Sequence, residues 1–192
     1  MLSAAELELN RATGWAERWA KRMQIGLQEL EQCLDIWGPG SIGAVTLPEI
    51  EARTAEALGL DRMSTAALMG DAWTEYVGSL NRELADYFVS LGARCKTGIL
   101  TTASSAPESE QDAYGFQDMC DVIVYSHEVG CLKPHPWIYH LACDRLAVAP
   151  EDTVLLDGVQ ANVDGARAVG MRAITFANNA QAIADLQAHL TE

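Results

Sequence analysis

Thr153-Val154-Leu155-Leu156-Asp157, then Gly158, then an amphipathic stretch from Ala161 to Val169 that stops at Gly170, is the segment on which the fold turns. A short apolar run bounded by polar residues reads as a buried strand. An unpaired carboxylate at its end would be costly to bury, so Asp157 has to be wet, paired or metal-bound. Gly158 leaves room for close backbone approach. The segment is therefore a strand, a tight turn and a helix, with an acid at the junction.

The same rhythm spreads in both directions. Thr97-Gly98-Ile99-Leu100-Thr101, Asp121-Val122-Ile123-Val124-Tyr125 and Met171 to Phe176 read as further strands. Ser104 or Ser105, with Pro107 and Glu108, signals a helix start. Pro136 to Ala147 and Ala180 to Leu190 read as helices. Strand–helix alternation at this spacing predicts βαβ units, a parallel sheet and right-handed crossovers. Such sheets place their sites at the carboxyl ends of the strands, here Thr101, Ser126 and Asp157.

Residues 1–94 have a different rhythm and read as almost wholly helical, against an α/β region over 95–192. Helices are expected over Ala4 to Met23, from Ile25 to Trp37, from Leu47-Pro48-Glu49 to near Gly59, after a cap at Asp61 or Ser64, and from Asn81 to Leu91-Gly92. Glu6-Leu7-Glu8-Leu9 also alternates, which admits a strand with Glu6 and Glu8 on one face. Strong helix formers in the same stretch argue against it.

Composition narrows the function. The 192 residues carry 13 Lys and Arg against 27 Asp and Glu, a formal net charge of −14. That field repels polyanions, so nucleic acid and anionic membranes are not expected partners. No apolar run reaches the roughly 18 residues of a membrane span, and no signal peptide is visible. Five cysteines without a C-x-x-C pair argue against a disulfide framework or zinc ribbon and fit a cytoplasmic protein. Small anions remain possible ligands wherever local donors outweigh the global charge.

Several residues carry chemistry at the strand ends. Thr101 puts a hydroxyl next to the unpaired N–H groups of a helix start, an anion cradle or an ordinary cap. Lys133 lies in Glu128-Val129-Gly130-Cys131-Leu132-Lys133-Pro134-His135-Pro136, where the prolines hold the chain out of helix. It offers a fixed positive charge, or is a solvated surface lysine. Asp157 suits a magnesium ion, which takes a few carboxylates and keeps several waters. Asn162 and Asp164 follow in the next turn, with Asp164 read as a capping or solvent-facing residue. His127, His135, His140 and His189 are scattered, with no cysteine or serine nucleophile visibly paired to them. The tryptophans, four of five in the helical half, read mostly as core.

Taken together these segments resemble the haloacid dehalogenase superfamily of phosphatases and dehalogenases, from about Gly59 to the C-terminus. The stretch from Leu80-Asn81 to Thr101 and Thr102 resembles the helix and strand leading to that family's second motif. Ser126 through Lys133-Pro134 to Tyr139 resembles the third, with Lys133 as the motif lysine. Val154 to Asp157, then Asn162-Val163-Asp164-Gly165-Ala166-Arg167 and Gly170, resembles the fourth. The resemblance implies an α/β Rossmannoid parallel sheet, with residues 1–94 as an α-helical cap inserted after the first strand. It implies Lys133 and Asp157 as catalytic groups, Thr101, Thr102, Lys133 and Asn162 as anion-binding groups, and Asp157 as a magnesium ligand.

Two departures modify that expectation. The family's first strand ends in an acidic motif whose first aspartate is the nucleophile; no such segment is visible here, and the first strand is expected to be missing. The second acid of the fourth motif is Gly158. A missing central strand leaves two strands with unpaired backbone groups. The strands then close up, the N-terminal segment fills the slot, or a homodimer or partner chain supplies a strand. Three functional expectations follow. One is a divergent family member that keeps an anion site without the nucleophile. Another is a truncated hydrolase, a phosphatase or dehalogenase, whose missing strand carries it. The third is a non-catalytic interaction protein.

Overall fold

The computed structural model describes residues 1–3, 7–9, 14–34, 38–102 and 114–190. A five-stranded parallel sheet in the order β5-β4-β1-β6-β7 forms the α/β core. Its strands are β1 (Leu2–Ser3), β4 (Gly98–Thr101), β5 (Val122–Tyr125), β6 (Val154–Asp157) and β7 (Arg172–Thr175). The four strands read from the sequence are all present, each trimmed by a residue or two at its ends.

The expectation of a missing first strand is corrected by β1. Leu2 pairs with Ile99 on one side and Leu156 on the other, and Ser3 with Leu100. The N-terminal segment therefore occupies the central slot, and the backbone groups of β4 and β6 are paired within the chain. Two residues suffice because the flanking strands are already held by β5 and β7 and need only a short bridge of ladder bonds. Met1 extends the pairing with β6: its amine donates to Val154 O at 2.7 Å and its carbonyl accepts from Leu156 N at 3.1 Å.

Alternation along the strands sorts the core into two layers, because successive side chains point to opposite faces. Leu2, Ile99 and Leu156 pack with Leu84, Phe88 and Leu186. Leu100, Val124 and Leu155 pack on the other face with Ile138, Tyr139 and Ala166. The first layer is covered by α5 (Arg82–Leu91) and α10 (Asn179–His189), the second by α8 (Pro136–Leu146) and α9 (Gln160–Ala168).

The helical part contains α1 (Trp15–Met23), α2 (Leu27–Leu34), α3 (Leu47–Leu58) and α4 (Arg62–Val77) around a separate cluster that includes Trp15, Trp19, Leu30, Leu68 and Trp73. Local signals set its boundaries. Thr46 and Glu49 form a reciprocal capping box at α3, and Asp61 Oδ1 accepts from Ser64 N at the start of α4. Of the helix expected over Ala4 to Met23, Trp15–Met23 is helical, and residues 4–6 and 10–13 lie outside the described residues. Glu8–Leu9 form β2, antiparallel to β3 (Ser79–Leu80) and away from the central sheet; the expectation of Glu6 and Glu8 on one strand face rests on a residue outside the described ones. Glu6, Trp37 and the helix start at Ser104 or Ser105 lie outside the described residues. Packing changes partners earlier than the sequence rhythm does: α5, before residue 94, belongs to the sheet's core and not to the tryptophan cluster.

One close seat joins the helical part to the core. A turn of 3-10 helix, Pro39–Ile42, lies against α7 (Ser126–Val129), where Ser126 Oγ donates to Ser41 O at 2.7 Å. Gly43 (φ +67°) follows, and a Cβ there would come within 2.1 Å of His127 O. No helix among the described residues is long and apolar enough to cross a membrane.

Candidate functional site

The parallel register fixes what meets at the strand ends. Ser3 ends β1, Thr101 ends β4 and Asp157 ends β6, each at the carboxyl edge where parallel sheets place their chemistry. The loop before α8 brings Lys133 into this edge. Its ammonium lies 2.6 Å from Asp157 Oδ2, 2.9 Å from Ser3 Oγ and 3.1 Å from Leu100 O. The two charged side chains are 2% and 1% exposed, so Lys133 is not the solvated surface lysine that an isolated lysine usually is.

A buried ion pair survives only when its remaining donors and acceptors are also satisfied. Here they are. Asp157 Oδ1 accepts from Val159 N at 2.9 Å, in the turn that follows β6. Asn162 Nδ2 lies 3.1 Å from both carboxylate oxygens. Asn162 is in turn held by Tyr139, whose hydroxyl donates to Asn162 O at 2.8 Å. Burial, with the Asp157 carboxylate nearby, pushes the Tyr139 phenol far up, which keeps that hydroxyl a donor. The approach of α9 that makes this possible needs Gly165, where a Cβ would meet Pro134 Cβ at 2.8 Å and Pro134 O at 2.9 Å.

Of the residues expected from the sequence, Lys133, Asp157 and Asn162 are brought into one hydrogen-bonded cluster. Thr101 is buried at the end of the neighbouring strand and Thr102 is half-buried beyond it. Neither hydroxyl makes a hydrogen bond among the described residues. Ser126, the third strand-end residue, is fully buried and turned to the helical part through Ser41. Asp164 faces solvent, as expected, with a long contact to Arg167 at 3.7 Å. His135 and His140 are exposed, while His127 and His189 are partly covered. Trp15, Trp19 and Trp73 are core, but Trp137 is 47% exposed.

Sequence reasoning did not find Ser3 or the roles of Tyr139 and Gly165. A two-residue strand is too short to show a period, and nothing local distinguishes Met1-Leu2-Ser3 from the segment that follows. Tyr139 and Gly165 lie within the third- and fourth-motif stretches, but only their mutual closeness reveals what they do.

The site's capacity for a divalent ion can be read from its acceptors. Both Asp157 oxygens already accept from Lys133, Asn162 or Val159 N. No group of three or more His, Cys, Asp or Glu residues close enough to hold a metal occurs among the described residues. Of the described residues at these strand ends, Asp157 is the carboxylate that would meet a magnesium ion, by exchanging one of these donors.

Comparison with known proteins agrees with the arrangement. Over 115 residues the chain is 30% identical to bifunctional epoxide hydrolase 2 of Mus musculus, covering 57% of this chain and 21% of that protein. It is 32% identical over 80 residues to phosphatase MT3486 of Mycobacterium tuberculosis, 41% of this chain and 37% of that one. The chain thus spans about a fifth of the epoxide hydrolase's length. Among solved structures, a family enzyme of Bacteroides thetaiotaomicron in complex with magnesium and inorganic phosphate superposes with a TM-score of 0.75 at 17% identity, covering 91% of each chain. A 2-haloacid dehalogenase from Pseudomonas syringae gives 0.63 at 16% identity, covering 91% of this chain and 84% of its own. These structural likenesses establish a shared fold. The family model for haloacid dehalogenase-like hydrolases matches residues 4–170, and with the parallel sheet and its strand-end cluster in place, the chain belongs to that family.

Proposed function

We propose that this protein is a divergent haloacid dehalogenase-like hydrolase that binds a small tetrahedral anion, phosphate or a phosphate monoester, at the carboxyl edge of its sheet. In this reading it does not act as a conventional aspartate-nucleophile phosphatase. The observation that carries it is the Lys133–Asp157 pair, buried and hydrogen-bonded where β1, β4 and β6 end, with Ser3 as the last described residue of the central strand. Thr101 and Thr102 supply hydroxyls, Lys133 supplies the positive charge, and Asn162 and Asp157 hold Lys133 in place. A hydroxyl at Ser3 or Thr101 can hydrogen-bond an anion but is not the carboxylate that an aspartyl-type intermediate requires. Magnesium is the counter-ion of the bound phosphate in this reading and not a resident cofactor.

The test is twofold. Hydrolysis of an aryl phosphate by the purified chain, with and without magnesium, should show no turnover. Isothermal titration should show inorganic phosphate binding that survives EDTA. Because removing Lys133 alone strands a buried carboxylate, the control is the double variant Lys133→Met/Asp157→Asn, which should bind no phosphate while remaining folded. Magnesium-dependent turnover would sink the reading, as would the absence of phosphate binding in the unaltered protein.

A further inference from the structure

The hydrogen-bond count at Lys133 has a consequence for how an anion is recognised. An ammonium has three N–H donors. Those of Lys133 already face at least three acceptors: Asp157 Oδ2, Leu100 O and Ser3 Oγ. An arriving anion therefore meets a lysine with no donor left to offer. Displacing Asp157 would strand a buried carboxylate, and displacing Leu100 O would strand a buried carbonyl; both are costly. Ser3 is different. Its Oγ accepts from Lys133, while its own hydroxyl hydrogen finds no acceptor among the described residues. Ser3 is 3% exposed and ends the central strand, in register with Leu100 and one residue short of the level of Thr101.

We infer that the Ser3 hydroxyl is the group that touches the anion, and that Lys133 acts through it as a positioning residue. The inference rests on the anion-binding reading above and deepens it. Hydrogen bonds in a chain polarise one another, so an ammonium donating to Ser3 Oγ makes the serine a stronger donor in turn. The lysine charge reaches the ligand through one hydroxyl, and Thr101 and Thr102 complete the cradle from the adjacent strand. The ligand class is a compact oxyanion with several acceptor oxygens, inorganic phosphate being the simplest. Binding is non-covalent, and no bond to phosphorus forms or breaks.

The experiment is titration of inorganic phosphate into the full chain and three variants, with circular dichroism and melting curves on each. Ser3→Ala should weaken binding about tenfold or more, the effect of losing one hydrogen bond to a charged group. Ser3→Thr, which keeps the hydroxyl, should restore it to within a few fold. Ser3→Asp should abolish it, since a carboxylate there repels the anion. Ser3→Ala binding as tightly as the unaltered chain, or more tightly because a lysine N–H is released, would overturn the inference and leave the anion site standing with Lys133 as its direct donor. If the unaltered chain binds no phosphate, both the site and the inference fall. If Ser3→Thr fails to rescue while folding as stably as the unaltered chain, the hydroxyl is not the recognition group.

Discussion

Lys133 and Asp157 show how a buried charge pair constrains its neighbours. Breaking such a pair from one side costs about 3–5 kcal/mol, because the remaining charge is left without compensation. Lys133→Met should therefore lower the chemical-denaturation midpoint sharply, and adding Asp157→Asn should recover much of the loss. If the double variant is as unstable as the sum of the two single ones, the two residues are not coupled. Tyr139 makes a smaller and more local contribution. Tyr139→Phe removes the hydroxyl that donates to Asn162 O, a carbonyl that keeps its place in the helix ladder. The expected cost is about 0.5–1.5 kcal/mol, that of one net hydrogen bond, measured by urea melts. Phosphate affinity should also fall, since Asn162 holds the carboxylate that holds Lys133. These residues were unevenly legible. Lys133, Asp157 and Asn162 stand in motif-like segments with prolines and glycines around them. Ser3 has no such setting, and its importance comes wholly from the register that puts it beside Leu100.

Strands and helices carry the next set of consequences. The strands β4 to β7 were readable because each is a run of apolar residues between polar ones, and the helix starts at Leu47-Pro48-Glu49, Asp61 and Asn81 because their chemistry is local. β1 was not, since a strand of two residues is defined by its neighbours' unmet hydrogen bonds and not by its own composition. That placement buries the Met1 amine, and desolvation lowers its pKa from 8.0 to about 6. A folded-state pKa below the unfolded one means that the unfolded chain takes up the proton first as pH falls. Stability from this group is thus fully present above pH 8, declines through the window from 8 to 6, and is lost below it, about 2–3 kcal/mol in all for a two-unit shift. Denaturation midpoints of the 192-residue chain at pH 8.5 and pH 6 should differ in that sense, and a chain acetylated at Met1 should not show the difference. Between α9 and the Lys133 loop, contact distance matters more than titration. Gly165→Ala would ordinarily help a helix by roughly 1 kcal/mol. Here the new methyl would collide with Pro134, so the variant should be less stable and should bind phosphate more weakly, with its far-ultraviolet circular dichroism unchanged.

Across the molecule, two cores of different make-up meet at a narrow seat. The tryptophan cluster of α1 to α4 is separate from the sheet's layers, and the contact of Ser41 and Gly43 with α7 joins them, with no ion pair across it among the described residues. The helices over Trp15 to Val77 were legible from rhythm, because helical and strand periods differ over long stretches. Which part owns α5 was not, because an amphipathic helix does not announce what its apolar face will meet. Charge adds a further property of the whole chain. A net charge of −14 is set against only two ion pairs among the described residues, one of them buried and the other long and exposed. Repulsion among surface carboxylates then outweighs pairwise attraction, and it is screened once the Debye length shortens to about 10 Å near 0.1 M salt. Raising sodium chloride from 10 to 150 mM should therefore raise the melting temperature. Phosphate affinity should respond less than the fold does. Screening relieves the repulsion of an approaching anion, but the hydrogen bonds that hold it at the strand ends are buried and little screened. A melting temperature that falls with salt would mean that attractive surface pairs dominate, and the acidic field would then be no obstacle to an anionic ligand.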